Sequence, residues 1–404
     1  MPETPTLLVK YAEAGDGYLT WRWVGDDGPA DFDGVAHIGA DVLTAVRAAL
    51  AEAVPDPLPG ESIGDGVDRA LLRGPLARPE STAAFARELG VALVPIELAE
   101  TVQRSPTRPL LRVQPSESLT RVPWEMLRVG RSSTSHQDGI ELGEIADVVC
   151  SAPASVAAQR SIVPTDIVPA DREGSVVAVV DPRIPGQSAS SALGSVLGRP
   201  DEASPLAALL TENPVLVPTV SSYGELARRT DVDRDWLRHT MAVAARLLYV
   251  GHVSAASASG ESVDAALHLC CADERGAHRP LSVYDLLTGG YRFPPRTALI
   301  GCNSGGDLAH PDGMGLSMAA LATGARLVTA TRWAVPTNRA LARAGNLGDR
   351  RPLEELVLAV DAAHRGDDPL GALALWQRDR RARWYADGQV ADSPLMWAAL
   401  TSTV

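Results

Sequence analysis

A histidine and a cysteine each stand just beyond a short aliphatic run in the second half of this chain. The run 247–250 leads through Gly251 to His252, and the run 298–300 leads through Gly301 to Cys302, followed by Asn303, Ser304, Gly305 and Gly306. A thiol at its ordinary pKa is only a few per cent thiolate at neutral pH, and a neighbouring imidazole raises that fraction or takes the proton during attack. Glycines around Cys302 let backbone approach a substrate carbonyl, and the N–H groups of Gly251, Val253 and Cys302 are candidate donors to an oxyanion. The chemistry this combination predicts is acyl transfer from a peptide bond. Cys302 would be the nucleophile and His252 the general base and later acid, a dyad with no third member visible and no cofactor. Singly, His252 also reads as a strand-end hydrogen bonder and Cys302 as a small buried hydrophobe. Their matched positions favour catalysis.

Those positions depend on the elements that carry them. Val176–Val180, Leu247–Val250, Ala298–Ile300 and Leu327–Thr331 are continuous apolar runs separated by helical stretches. Such runs describe strands buried on both faces, and their order predicts an α/β fold with a mostly parallel sheet covered by helices. In a sheet of that kind, reacting groups gather beyond the carboxyl ends of the strands, where both His252 and Cys302 fall. Leu353, Leu356, Val357 and Val360 recur at helical spacing and predict an amphipathic helix against the sheet. At the N-terminus, residues 5–24 read as a β-hairpin around Gly15-Asp16-Gly17. Residues 41–53 read as a helix with Val42, Val46, Leu50 and Val54 on its apolar face, and 55–66 as a loop. The stretch 81–90 reads as a helix closed by Gly90, and 110–114 as a strand. The polar segments 130–140 and 183–204 read as surface loops, the second a candidate for mobility. The expected division is a small β-rich segment at 1–66 and a larger domain at 67–404.

Composition narrows the function classes. Across 404 residues, 37 Lys and Arg stand against 50 Asp and Glu, a net charge of −13, which disfavours a nucleic-acid partner. No apolar run is long enough to span a membrane and the first residues do not read as a secretion signal, so the expected location is the cytoplasm. Four cysteines (Cys150, Cys270, Cys271 and Cys302) are too few for a disulfide framework, and the His268–Cys271 stretch does not bring three ligands together, so no metal is expected.

On these residues the sequence resembles the CHAT proteins, caspase-like cysteine peptidases of the clan that includes separases, metacaspases and clostripain. The resemblance is carried by LTRVPWEML at 119–127, VVAVVDP at 176–182, LLYVGH at 247–252, TALIGCNSGG at 297–306, DGMGLSMAALATGARLVTATRWAVPT at 312–337 and SPLMWAALTSTV at 393–404, six segments in the family's order. The His-to-Cys separation of about fifty residues also suits a caspase-like enzyme. The resemblance implies a caspase-like sandwich, a sheet with helices on both faces, and a specific endopeptidase of bacterial signalling or defence. It further implies a protein or peptide substrate, and a latent state relieved by an activating protein partner. Two positions depart from the pattern. Val253 stands where the family usually has Gly after the His, and the His that usually precedes Pro394 is missing. Val253 is the residue that keeps a rival reading open, a CHAT-fold scaffold without activity. Relatives use acidic residues to hold a basic P1 side chain, which makes Asp181, and with it Asp307, candidate substrate-binding residues; capping of the following turn is the alternative for Asp181.

Overall fold

Alternating burial along Thr6–Ala14 (β1) and Asp16–Val24 (β2) turns the two N-terminal runs into the expected antiparallel hairpin, with Val9 opposite Trp21 and Tyr11 opposite Leu19. Gly34–Ile38 (β3) pairs with the free edge of β2, and β1 pairs in parallel with Leu110–Gln114 (β4), which pairs in parallel with Asp147–Cys150 (β7). Between them, Arg128–Val129 (β5) and Ile140–Glu141 (β6) form a short ribbon. Because β1 is hydrogen-bonded to β4, the hairpin is part of a larger unit. The structure, a computed structural model, describes residues 4–25, 33–130, 139–156, 174–188, 191–254, 262–302, 304–305 and 315–404. The chain divides into one compact unit of Met1–Ser151, Ala340–Gly348 and Leu370–Ala399, and a second of Ala152–Arg339, Asp349–Pro369 and Leu400–Val404. The division expected between 66 and 67 lies inside the first of these.

Three local readings in the first unit change. The helix Ala40–Ala53 buries Val46 and Leu50 of the expected face, with Val54 buried just beyond it, but at its start Leu43 takes the core position expected of Val42. The loop after it ends at Ser62, whose side chain accepts from the Asp65 N–H while Asp65 accepts from Ser62, a capping box that starts a helix at Ile63. Gly90 does not close its helix, which runs Pro79–Leu93. A Cβ on Gly90 would lie 1.9 Å from the Arg128 carbonyl oxygen, so glycine is there to let β5 lie against the helix.

In the second unit, Ser175–Val180 (β8), Val215–Val217 (β9), Arg246–Val250 (β10), Arg296–Ile300 (β14) and Leu327–Thr331 (β15) form the parallel part of a sheet in the order β15-β14-β10-β8-β9, with Leu400–Thr403 (β16) antiparallel beside β15. A separate antiparallel group joins Val253–Ser254 (β11), Ala266–Leu267 (β12) and Leu281–Ser282 (β13). Burial on both faces explains the unbroken apolar runs. Val177, Val179, Leu247, Tyr249, Leu299 and Val328 share one core with Leu237, Leu286 and Leu321 from the helices Arg234–Met241, Val283–Thr288 and Leu316–Ala322. The alternate residues Val176, Ala178, Leu248 and Ala298 are equally buried and point the other way. The helix Pro352–Arg365 packs on β10 and β14 and buries Leu353, Leu356, Val357 and Val360, as their spacing predicted. The expected α/β class, a mostly parallel sheet flanked by helices, is the observed one.

Candidate active site

Parallel register brings the two candidate residues to one edge of the sheet. Val250 pairs with Ile300, and the Gly251 amide donates to the Ile300 carbonyl at 3.1 Å, so the chains leave β10 and β14 in step. His252 and Cys302 occupy the second position beyond each strand, on neighbours spaced by about 4.8 Å. Beyond the ladder the backbones press together. A Cβ on Gly301 would lie 2.5 Å from Val253 Cγ2 and 2.8 Å from the Gly251 carbonyl oxygen, so no larger residue fits before Cys302 without movement. The turn after Cys302 is pinned to the end of β15. Ser304 Oγ bonds the Leu299 carbonyl and accepts from the Thr331 amide at 3.0 Å, Gly305 N donates to the Thr331 carbonyl at 2.8 Å, and Thr331 Oγ1 donates to the Gly301 carbonyl.

His252 is held at both ends. Tyr249 Oη lies 2.6 Å from the His252 carbonyl oxygen and 3.0 Å from that of His268, and burial raises the Tyr249 pKa, which keeps the phenol a donor. The ring Nε2 lies 2.9 Å from the Gly194 carbonyl oxygen. A carbonyl only accepts, so Nε2 carries the proton and Nδ1 of the neutral ring carries the lone pair. The Gly194 carbonyl is thus a partner of the His252 ring that sequence reasoning did not find. A main-chain oxygen leaves no signature in residue type, and this one comes from the segment 183–204 that read as a surface loop.

That loop is anchored by Asp181. Its carboxylate, 1% exposed, accepts from Ser195 Oγ and from the Val196 amide at 3.2 Å, and pairs with Arg228 Nη1 at 3.3 Å. Arg228 also reaches the Gly194 carbonyl at 3.4 Å. Asp181 and Arg228 both adopt positive φ, 47° and 58°, in the left-handed region that costs a non-glycine residue energy. Both oxygens of Asp181 are therefore engaged within the protein, by the loop residues Ser195 and Val196 and by Arg228 and not by the turn that directly follows it. In this arrangement the carboxylate is not open to a basic P1 side chain. Asp307 lies outside the described residues.

The oxyanion candidates separate in the same way. The Gly251 N–H is used in the ladder with β14, so it is not a donor to substrate here. The bond from His268 N to the His252 carbonyl makes Val253 and Leu267 a non-hydrogen-bonded pair, which turns the Val253 N–H away from β12. Val253 therefore keeps a usable N–H although its side chain is buried against Gly301. Among the other cysteines, burial pushes the Cys270 thiol up to about 11 and raises that of Cys271, and Cys150 is buried in β7. Cys302 is half-buried, at the strand end.

Next to this edge, His268 Nδ1 lies 2.9 Å from His278 Nε2 and the two rings stack. Burial holds the His268 pKa down to about 4, and burial among β14, β15 and the helix Pro352–Arg365 holds that of His364 down to about 3. Both stay neutral in the folded chain from pH 6.5 down to about 4, a range in which the unfolded chain takes up their protons. Stability is therefore expected to fall as pH drops from about 6.5 towards 4, by up to roughly 2.7 kcal/mol per pH unit if both contribute fully. Urea midpoints at several pH values check this, with His364→Gln expected to halve the slope; an unchanged slope in that variant would assign it to other groups.

Residues 83–344, which include His252 and Cys302, match the model of the CHAT domain, and the chain belongs to that family. No curated protein matches the chain. Among solved structures, that of the Saccharomyces cerevisiae separase–securin complex is similar over 98% of this chain, at 9% identity and a TM-score of 0.46. The chain spans 30% of the length of that separase-complex chain. No helix among the described residues is long and apolar enough to cross a membrane.

Proposed function

We propose that this chain is a cysteine endopeptidase acting on a specific protein substrate through His252 and Cys302. The observation that supports the reading is the in-step exit of β10 and β14, with His252 and Cys302 each at the second position beyond its strand and His252 Nε2 at the Gly194 carbonyl. His252 Nδ1 takes the thiol proton as Cys302 Sγ bonds to the substrate carbonyl carbon. The oxyanion receives the N–H groups of Val253 and Cys302. His252 then gives the proton to the leaving amine, and water, deprotonated by the same nitrogen, releases the acyl group. No step requires a cofactor or metal. Membership of the CHAT family supports extending the reading to a bacterial signalling or defence enzyme in the cytoplasm, latent until an activating partner binds. Peptide acyloxymethyl ketones, followed by intact mass and peptide mapping, test the chemistry: adducts confined to Cys302 support it, and adducts elsewhere remove it.

The contact at Gly301 yields a separate prediction. Gly301→Ala must push the Cys302 segment away from Val253, and a misplacement of about 1 Å costs on the order of a hundredfold in a positioned reaction. Labelling of Gly301→Ala is expected to slow by about that factor, and Val253→Gly in the same chain, by removing Cγ2, is expected to recover part of it. Wild-type rates in Gly301→Ala would show that this contact does not set the alignment.

A further inference from the structure

A cavity of about 630 Å³ is lined in part by the loop that supports His252. Its walls bring together Arg183, which follows β8 closely, Val196, Leu197 and Arg199 from the loop itself, Arg228, and Arg339 from the segment after β15. Four arginines and, among the described residues, no carboxylate line it, in a chain whose net charge is −13. Arg228 is compensated by Asp181. Arg183, Arg199 and Arg339 are exposed, and among the described residues their guanidinium groups form no ion pair. The nearest acidic residues in sequence are engaged elsewhere: Asp201 with Arg351, and Glu202 with the amides of Tyr223 and Gly224. Three uncompensated cations around one concavity repel one another, and an anion between them relieves that repulsion while accepting several charge-assisted hydrogen bonds.

We propose that this cavity is a substrate subsite for an acidic peptide segment, with Arg183, Arg199 and Arg339 receiving Asp or Glu carboxylates. The inference rests on the peptidase reading and supplies its substrate class. Continuity with the dyad argues for a substrate: Gly194 carries the carbonyl that holds His252, and the next residues, 195–200, form the cavity wall. The size suits a few side chains. Among the described residues no aromatic ring lines the wall to stack a nucleobase, while Val196 and Leu197 offer apolar contact to the stem of a Glu. The charge in reach of a bound chain is thus basic, the opposite of a site built to hold Arg or Lys.

The test measures binding rather than cleavage. Full-length protein carrying Cys302→Ala is titrated into a fluorescein-labelled peptide of alternating Glu and Ala, and into its Gln counterpart, at low salt. The Glu peptide is expected to bind at least about tenfold tighter than the Gln peptide, to weaken as salt rises, and to lose about tenfold in the chain with Arg199→Gln and Arg339→Gln. Circular dichroism confirms the fold of that double variant, whose changes are on exposed side chains. Equal binding of the two peptides, or unchanged binding in the double variant, overturns the proposal. So does ATP displacing the peptide at a lower concentration than inorganic phosphate with the same dependence on arginine, which would make the cavity a nucleotide site. Because Cys302 takes no part in this measurement, binding of the Glu peptide leaves the anion site standing even if adducts form at residues other than Cys302 and the peptidase reading falls.

Discussion

Cys302→Ala is expected to abolish labelling by peptide acyloxymethyl ketones, and His252→Ala to slow it by about 10²–10⁴-fold at pH 7. The two losses have different origins. Without Cys302 there is no sulfur at the sheet edge, and the Cys270 and Cys271 thiols cannot replace it because burial keeps them protonated. Without His252 the nucleophile remains but must ionise unaided. Its labelling rate is then expected to climb about tenfold per pH unit until the pH reaches an ordinary thiol pKa near 8.5, where the wild-type rate is much flatter. A pH profile therefore separates a base from a merely structural histidine. If His252→Ala labelled with the wild-type profile, the imidazole would have no part in the proton transfer and the dyad would fall. Arg228 offers a graded version of the same measurement, since it braces both Asp181 and the Gly194 carbonyl that fixes the His252 tautomer.

Asp361→Ala is expected to destabilise the second unit by about 3–5 kcal/mol, the largest stability effect of any single substitution considered. Arg246 begins β10, the strand that ends at His252, and is 6% exposed; Asp361, on the helix Pro352–Arg365, is 2% exposed. Arg246 Nη1 reaches Asp361 Oδ1 at 2.9 Å and the Asp361 carbonyl at 3.2 Å, Nη2 bonds Asn213 Oδ1, and Asn213 Nδ2 returns to Asp361 Oδ2 at 3.1 Å. Burial, helped by the nearby charges of Arg365 and Arg296, lowers the Arg246 pKa, and the Asp361 carboxylate beside it opposes that pull. Removing Asp361 leaves a guanidinium in the interior without its counter-charge. Replacing both partners, with Arg246→Met and Asp361→Leu, removes the stranded charge and is expected to cost less than Asp361→Ala. Urea unfolding monitored by tryptophan fluorescence reads both, as a lower midpoint at unchanged slope. A change within about 0.5 kcal/mol for Asp361→Ala would mean that water reaches the site and screens Arg246.

The sheet of the second unit was legible residue by residue. Unbroken aliphatic runs at 176–180, 247–250, 298–300 and 327–331 became β8, β10, β14 and β15, because burial on both faces selects apolar residues at every position and not at every second one. The spacing of Leu353, Leu356, Val357 and Val360 gave a helix for an equally local reason. Local signals misled where a glycine or an apolar residue had two uses. Gly90 punctuates many helices but here makes room for Arg128, and Leu43 took the place in the core that Val42 had been assigned.

By itself, then, the sequence determined the strands, their shared exit edge, and the pair His252 and Cys302 that stands there, since all three follow from periodicity and from what comes next along the chain. Tertiary structure alone decided what surrounds that pair. The Gly194 carbonyl comes from 58 residues before His252, the Asp181 carboxylate turns inward to Arg228 and the loop, the Gly251 amide is used by Ile300, and Arg183, Arg199 and Arg339 converge on one cavity. These choices rest on main-chain atoms and on loops folding back over distance, and neither leaves a repeating pattern in residue type for a reader of the sequence to find.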